Sequence, residues 1–523
     1  MWDKVNTVLK KKPVCRQSSG SFTAEQLNNH FASVSTDSCY KQPLKKTTTD
    51  PQYKNEFSES EIFYILDRIK PTATGLDSLP YWFLKLAAPS FALPVAHLFS
   101  LSLQQSVVPS QWKISCITPV PKTSQPLSCQ QYRPISVTPI LSRLMEKIVV
   151  RKFLYPVLCD QSLSASFSDQ FAFRPTGSTT CALIFLLHQL TDLLQTHDYV
   201  HLIALDFSKA FDTVRHSSLL QKMACLPLPD NIYNWILDFL THRLHETKFN
   251  GLHSNRLTIN SSIIQGSGLG PVLFVINAHD LHPIYPTNLM FKYADDTYLI
   301  IPSNNSHLIS EELAHVSEWA GEHNLRLNVE KSVEVIMHQP QKRNLKFPQP
   351  TCNIARKNSI TVLGVDIGNN LKFDKHIEKT LQKTSKTLFA LRVLRAHGMP
   401  VLNLWDIAKA ILVPQVMYAL SAWWGFVTVS QKNRLESVVR KAKKYGFLPP
   451  SYDSLEDLSL ISDEKLFFSV QYRPNHVLKQ LLPPPKTPNY SLRDRSHNFT
   501  LSSDISNSKR RNFIYRMLFT DIY

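Results

Sequence analysis

Two short segments place carboxylates where chemistry could use them. ALDFSKAFD (204–212) ends an apolar run at Asp206, and Phe207 to Phe211 then leads into a turn and helix. FKYADD (291–296) sets Asp295 beside Asp296 between two apolar stretches. Adjacent acids at an apolar hairpin tip repel each other unless a cation neutralises them, and hard oxygen donors suit Mg²⁺, with Mn²⁺ also compatible. Two such ions would lower the pKa of an attacking hydroxyl and hold a triphosphate with its leaving pyrophosphate. Read alone, each segment is weak. Paired aspartates are most often a solvated turn, and an aspartate closing a strand can be a structural acceptor. Together, 89 positions apart and with a glycine-rich turn between them, they are far more specific.

That turn is IIQGSGLGPVLF (263–274). Gly266, Gly268 and Gly270 let backbone approach a ligand closely, and Pro271 opens the helix that follows. A plain loop before a helix is the ordinary alternative. The Lys-Ser/Thr ending of a phosphate-binding P-loop is missing.

The elements that must carry these groups show in the periodicity. HLIAL (201–205) reads as a buried strand, and 289–301 as two short strands folded about Ala294–Asp296. Ser58 and Glu61 form a capping-box pattern ahead of Ile62, Ile65, Leu66 and Ile69, a helix that Pro71 and Gly75 stop. Residues 182–194 are again helical and apolar. Thr361–Ile367 reads as a further strand. Residues 376–395 then carry Ile377, Leu381, Leu388, Leu391 and Leu394 on one helical face. Lys379, Lys383 and Lys386 make a basic stripe on the same helix, either a solvated face or one that tracks phosphates. A second basic stretch follows at Arg434, Arg440, Lys441, Lys443 and Lys444. Polar stretches at 36–55, 339–353 and 483–489 are candidate linkers or surface loops.

Bulk composition narrows the class. A chain of 523 residues has room for several domains, and 58 Lys+Arg against 41 Asp+Glu give a formal charge of +17. That excess favours a polyanionic partner such as nucleic acid, although solubility or an anionic membrane surface would also account for it. The eight cysteines include no C-x-x-C pair, which reads as reduced intracellular thiols and not as a disulfide framework or zinc site. The N-terminus lacks an apolar core of signal-peptide length. Ala410 to Val429 is free of formal charge over 20 residues, near membrane-span length. It contains Pro414, Gln415, Tyr418, Ser421, Trp423 and Trp424 between basic helices, and reads as buried core; no membrane partner is expected.

The ordered set ALDFSKAFD, QGSGLGP, FKYADD resembles the reverse transcriptase of non-LTR (LINE-like) retrotransposons. WKISCITPVPK (112–122) and YRPIS (132–136) resemble its fingers segments, and DQFAFRPTGSTT (169–180) its template-contacting stretch. NLRLNVEKS (324–332) and VLGV (362–365) resemble the last palm segments, so the matched blocks span about 110–367. The resemblance implies an α+β right-hand polymerase: fingers, a palm with an antiparallel sheet, a thumb, and a helical C-terminal region. The expected division is 1–95 as an N-terminal extension, 96–368 as fingers and palm, 369–448 as a basic thumb-like region and 449–523 as a C-terminal extension.

It also implies roles. Asp206 and Asp295 would bind both metals with the Phe207 carbonyl, and Asp296 would support them. Phe211 would be the steric gate that admits dNTPs over rNTPs; a core phenylalanine is the plainer alternative. Lys122 and Arg133 would clamp the triphosphate, Gln265 and Gly266 would contact nucleotide and template, and Lys331 would be the general acid to pyrophosphate. Leu363 and Gly364 would position the primer end. The implied partners are an RNA template, a DNA primer, their RNA–DNA hybrid and dNTPs. His197 and His201, spaced H-x-x-x-H, become turn and core residues instead of zinc ligands.

Elements of this type usually carry an endonuclease upstream, and only about 100 residues precede the fingers here, so polymerase competence without target nicking is the expectation. No RNase H acid cluster shows in 370–523. A catalytically silent nucleic-acid-binding relic and an RNA-templated RNA polymerase are the competing readings. Phe211 and the Y-A-D-D context disfavour the second.

Overall fold

In the computed structural model, the described residues are 22–47, 57–339, 345–350, 353–486, 497–501 and 505–520. Two sheets and a separate hairpin are built from β1 (Ile114–Pro121), β2 (Tyr132–Val137), β3 (Tyr199–Leu205), β4 (Arg243–Phe249), β5 (Leu252–His253), β6 (Leu257–Ile259), β7 (Leu289–Tyr293), β8 (Asp296–Pro302), β9 (Val333–His338), β10 (Ala355–Arg356), β11 (Ser359–Val362) and β12 (Val365–Gly368). The sheet that carries the acidic segments runs β10-β9-β3-β8-β7, with β3 antiparallel to both β8 and β9. The other runs β2-β1-β4-β5, with β6 also on β4.

The period-two rule explains why the first sheet sits where it does. Val200, Leu202, Tyr298 and Ile300 face one core, and Ile203, Leu205, Leu299 and Ile301 face another. Burial of both faces turns the strands into continuous apolar runs, which is why HLIAL shows no polar alternation. One core is closed by helices of the first 325 residues, among them Ala88–Gln105, Ile140–Val149, Asp230–Leu240, Gly270–Asn277 and Ile309–Glu322. The other is closed by the helix Thr179–Thr196 together with Asp374–Ala396, Val429–Lys444 and Leu455–Tyr472. The Ser178 hydroxyl caps the 179–196 helix by accepting from the Cys181 N–H.

Several expectations are corrected in detail. Thr361–Ile367 is not one strand: Leu363 (φ 46°) and Gly364 (φ 84°) form a two-residue turn that folds β12 back on β11. Ser58 caps its helix, yet Glu61 turns away to Lys152 (2.9 Å), so only half of the capping box forms. The stretch from residue 36 does not hang free. Buried Asp37 takes the Arg215 guanidinium (2.8 Å), and the Lys46 N–H donates to the Asn234 side chain; residues 48–55 lie outside the described set. Ala410–Val429 breaks into short helical turns whose Leu412, Val416, Trp423 and Trp424 are core. Among the described residues no helix is long and apolar enough to cross a membrane.

Candidate active site

Sheet register brings the acids together. Leu205 pairs with Thr297 across β3 and β8, so one further residue on each strand sets Asp206 against Asp296. Tyr293 pairs with Asp296, leaving Ala294 and Asp295 as a two-residue turn. Ala294 occupies the left-handed region (φ 57°) that such turns usually give to glycine. A strained non-glycine residue persists only where its surroundings over-determine it. Here the Ala294 N–H donates to Gln170 Oε1 (3.1 Å), and residues 169–171 run alongside β7 through Lys292 N–H to the Asp169 carbonyl (2.7 Å) and Phe171 N–H to the Lys292 carbonyl (3.0 Å). The Lys292 side chain is fully buried. Its ammonium donates to the Ala278 and Leu281 carbonyls (2.9 and 2.8 Å) and pairs with Asp169 (3.1 Å).

Asp206 is gripped from the other side by NLRLNVEKS. The Asn328 N–H donates to the Asp206 carbonyl (2.7 Å), the Asp206 N–H to Ser332 Oγ (3.3 Å), and the Ser208 N–H to the Arg326 carbonyl (2.9 Å). Between them Phe207 forms an antiparallel bridge with Leu327, while its buried ring packs edge-on against Trp319.

The three carboxylates sense one another. Burial, and then the neighbouring Asp206, push the Asp295 carboxyl up, while Arg133 draws it back. Asp296 is raised to about 6 by crowding of its carboxyl, then by Asp295 and Asp206, although its outer surface is open. Among the described residues no protein cation forms an ion pair with any of the three. An all-oxygen donor set with repelling, incompletely hydrated charges fits hard divalent cations. Their ligand atoms are spread wider than 4.8 Å, however. The one described triplet that tight is Cys116, Glu246 and His253, where Glu246 is already neutralised by Arg256 (3.0 Å) and His253 (2.7 Å).

The glycine-rich turn borders the same site. Its Gln265 carbonyl accepts from the Ser136 N–H (2.8 Å), and the Gln265 amide donates to Asp212 Oδ1 (2.6 Å). Gly266 has φ 123°, and a Cβ there would sit 2.2 Å from the Ser136 carbonyl, so β2 and the turn touch backbone to backbone. Gly268 and Gly270 make their close approaches to protein and not to a ligand: against Glu146 and Lys147, and against Ile264. The N–H groups of Gly268 and Leu269 donate to buried Glu146 (2.6 and 3.2 Å). Phe211 is half-buried and stacks on Phe274 (centroids 4.4 Å apart, planes 20° apart), and its carbonyl accepts from the Ile263 N–H.

Lys122, Arg133 and Lys331 are all exposed, and Arg133 and Lys331 lie close enough for Lys122 to sense their charge. Although the Lys122 side chain is exposed, partial desolvation by its neighbours holds its ammonium below the ordinary pKa, with Asp212 pulling it up and Arg133 and Lys331 pushing it down. Leu363 and Gly364 form the β11–β12 tip, where the Tyr418 hydroxyl donates to the Leu363 carbonyl (2.8 Å). Burial raises the Tyr293 phenol, with Tyr418 and Asp296 adding to it, so that tip lies near the acidic hairpin. His201 is core, bonded to Glu334 (2.6 Å) and Ser306 (2.9 Å), and His197 meets the Leu193 carbonyl.

Four positioning groups escape the sequence reading. Asp212 closes the very motif that supplied Asp206, and Lys292 is a charge inside an apolar strand; both are visible signals. Glu146 and Gln170 carry none, because their partners lie over 120 positions away.

Residues 120–367 match the family model described as reverse transcriptase (RNA-dependent DNA polymerase), so the chain contains a reverse transcriptase domain. Its homologues are RNA-directed DNA polymerases of non-LTR retrotransposons. One is the RNA-directed DNA polymerase from mobile element jockey of Drosophila melanogaster, 27% identical over 408 residues, which are 74% of this chain and 43% of that protein. Another is the probable RNA-directed DNA polymerase from transposon X-element of the same fly, 24% identical over 385 residues, 71% and 42% of the two. The chain therefore spans less than half the length of these relatives. Among solved structures, telomerase from Candida albicans aligns over 77% of this chain and 71% of its own, at 13% identity and a TM-score of 0.37. The family generally uses divalent metal ions.

Proposed function

We propose that this chain copies RNA into DNA by transferring a deoxynucleotide from a dNTP to a primer 3′-hydroxyl, with Asp206 and Asp295 as the essential metal ligands. Asp296 and the Phe207 carbonyl support them. The observation that carries this reading is the register of β3 against β8, which sets Asp206 against the Asp295–Asp296 turn. Two Mg²⁺ ions, or Mn²⁺ in their place, would supply a lowered 3′-hydroxyl pKa and neutralise charge on the triphosphate and pyrophosphate.

The remaining roles are those the family resemblance implies, and the chemistry of each residue suits its role. Arg133 and Lys122 offer a planar fork and a point charge to triphosphate oxygens on the side of Asp295. Lys331, the third cation there, is the proposed proton donor to pyrophosphate. Phe211, braced by Phe274, is the wall under the sugar. Gln265, steered by Asp212, faces nucleotide and template with Gly266, and Leu363–Gly364 meets the primer end. In this reading the β10-β9-β3-β8-β7 sheet is the palm, β1, β2 and β4 belong to the fingers, and 369–448 is the thumb.

The test is extension of a DNA primer on an RNA template of mixed sequence with all four dNTPs. A DNA product complementary to the template is expected. A product built only when rNTPs replace dNTPs would overturn the assignment in favour of an RNA polymerase.

A further inference from the structure

We propose that Cys116, Glu246 and His253 form a zinc site on the sheet that carries β1, β4 and β5, separate from the carboxylate site. Their sulfur, carboxylate oxygen and imidazole nitrogen all lie within 4.8 Å of one another. A tetrahedral Zn²⁺ bonded to sulfur, nitrogen and oxygen holds such atoms about 3.3–3.7 Å apart, so movements of about 1 Å would seat it. A thiol and an imidazole beside one carboxylate suit Zn²⁺, whereas Mg²⁺ and Ca²⁺ take oxygen donors.

Sheet register builds the cluster. β1 runs parallel to β4 with Cys116 opposite Glu246, and β5 folds back on β4 with His253 opposite Lys248. Residues paired across strands share a face, and so do positions two apart along a strand. All three donors therefore project from one side of the sheet. Thr118 and Lys248 on that side are exposed, while Cys116 and Glu246 are buried. Exposed His253 and Arg256 reach over to the carboxylate. No zinc spacing shows in the sequence because Glu246 lies 130 positions after Cys116.

The contacts already present are compatible with a bound cation. Arg256 Nε donates to Glu246 Oε2 (3.0 Å), and His253 Nδ1 meets Oε1 (2.7 Å). A cation between His253 and Oε1 replaces the second contact and keeps the first, in which Arg256 orients the carboxylate as partners of metal-bound carboxylates do. An ion-pair network of His253, Glu246 and Arg256 would account for the carboxylate alone and gives buried Cys116 no part. Burial, and then Glu246, push the Cys116 thiol up, with Lys248 drawing it back. Without metal the sulfur is therefore a thiol. On binding, its S–H bond breaks, the proton passes to solvent, and the electron pair left on sulfur forms the Zn–S bond. Three protein donors leave the fourth position to a water molecule on the exposed side. β5 is two residues long, so the ion would pin a marginal strand pair to β1. None of this depends on whether Asp206, Asp295 and Asp296 are catalytic.

The experiment equilibrates the full chain, freed of affinity tags, with Zn²⁺, passes it into metal-free buffer and measures retained metal. Co²⁺ serves as the optical probe, because thiolate coordination gives a near-ultraviolet charge-transfer band. One zinc per chain and that band are expected. Cys116→Ala and His253→Ala should each lose both; His253 is exposed, so its variant keeps the fold. Arg256→Gln should weaken binding about tenfold. Cys225→Ser, at an exposed cysteine, and Asp295→Ala should retain the zinc of the unaltered chain; the second separates this site from the polymerase reading. No retained zinc in the unaltered chain would overturn the proposal, as would zinc that survives both Cys116→Ala and His253→Ala. Tighter binding in Arg256→Gln would mean that the guanidinium competes with the cation, and would overturn it too.

Discussion

Asp212 sits behind Phe211 and holds the Gln265 amide, and its carboxyl is raised to about 6 by burial, against the Gln265 hydrogen bond and the nearby Lys209 and Lys122. An exposed aspartate titrates near 3.9, so folding takes up a proton at this residue. Its stabilising contribution is fully present below about pH 4 and is lost as the pH rises through about 6. Asp212→Asn keeps an acceptor for Gln265 and removes the charge. It should therefore stabilise the fold by about 1–3 kcal/mol at pH 8 and by nothing at pH 4, in urea titrations at both values. A variant equally stable at both pH values, relative to the parent, would mean that Asp212 is well solvated. Phe211 allows a second prediction. Phe211→Val should raise rNTP use relative to dNTP use by about tenfold to a hundredfold, at a cost of about 1–2 kcal/mol from the lost stack on Phe274. If single-turnover rNTP:dNTP ratios do not move, Phe211 is a core residue and no gate.

At the scale of elements, the hairpin depends on a group that never touches substrate. Lys292 joins Asp169, the end of the Gly270–Asn277 helix and the Leu281 carbonyl. Lys292→Met fills the volume but leaves two carbonyls unpaired in the interior and Asp169 with only His282 (3.1 Å) as a partner, so it should cost about 3–5 kcal/mol. A melting temperature within a degree or so of the parent would contradict that. Gly266→Ala should fail to fold properly, since its Cβ meets a backbone carbonyl at 2.2 Å in a backbone conformation that disfavours side chains.

These elements also show what the sequence reveals and what it hides. The hairpin and β3 are legible because burial of both faces writes long apolar runs ending in acids. Thr361–Ile367 reads as one strand because Leu363 sits in a turn where an apolar side chain is unusual, and only the left-handed backbone discloses the fold-back. The acids and the cations Lys122, Arg133 and Lys331 could be named from their motifs. Their dependence on Glu146, Gln170 and Lys292 could not, since those contacts join segments that no local pattern relates.

Across the whole molecule, the acidic sheet is a partition between two cores, one built mainly from the first 325 residues and one shared with the C-terminal helices. The Asp374–Ala396 helix is anchored to β12 where Lys379 meets Asp366 (2.7 Å), which removes Lys379 from its basic stripe and leaves Lys383 and Lys386 exposed. If that face follows a nucleic-acid duplex, Lys383→Glu/Lys386→Glu should weaken primer–template binding and flatten its salt dependence by about 1–2 in slope, with the fold intact. Unchanged affinity and slope would make it a solvated face. Asp206, Asp295 and Asp296 are proposed to form one metal-dependent site for DNA synthesis. That site is tested most directly by extension of oligo(dT) on poly(rA) with dTTP, with and without Mg²⁺, comparing the unaltered chain with Asp295→Ala. Mg²⁺-dependent extension is expected, falling by about a thousandfold or more in the variant while the variant stays folded. Extension that survives Asp295→Ala, or none from the unaltered folded chain, would contradict the assignment.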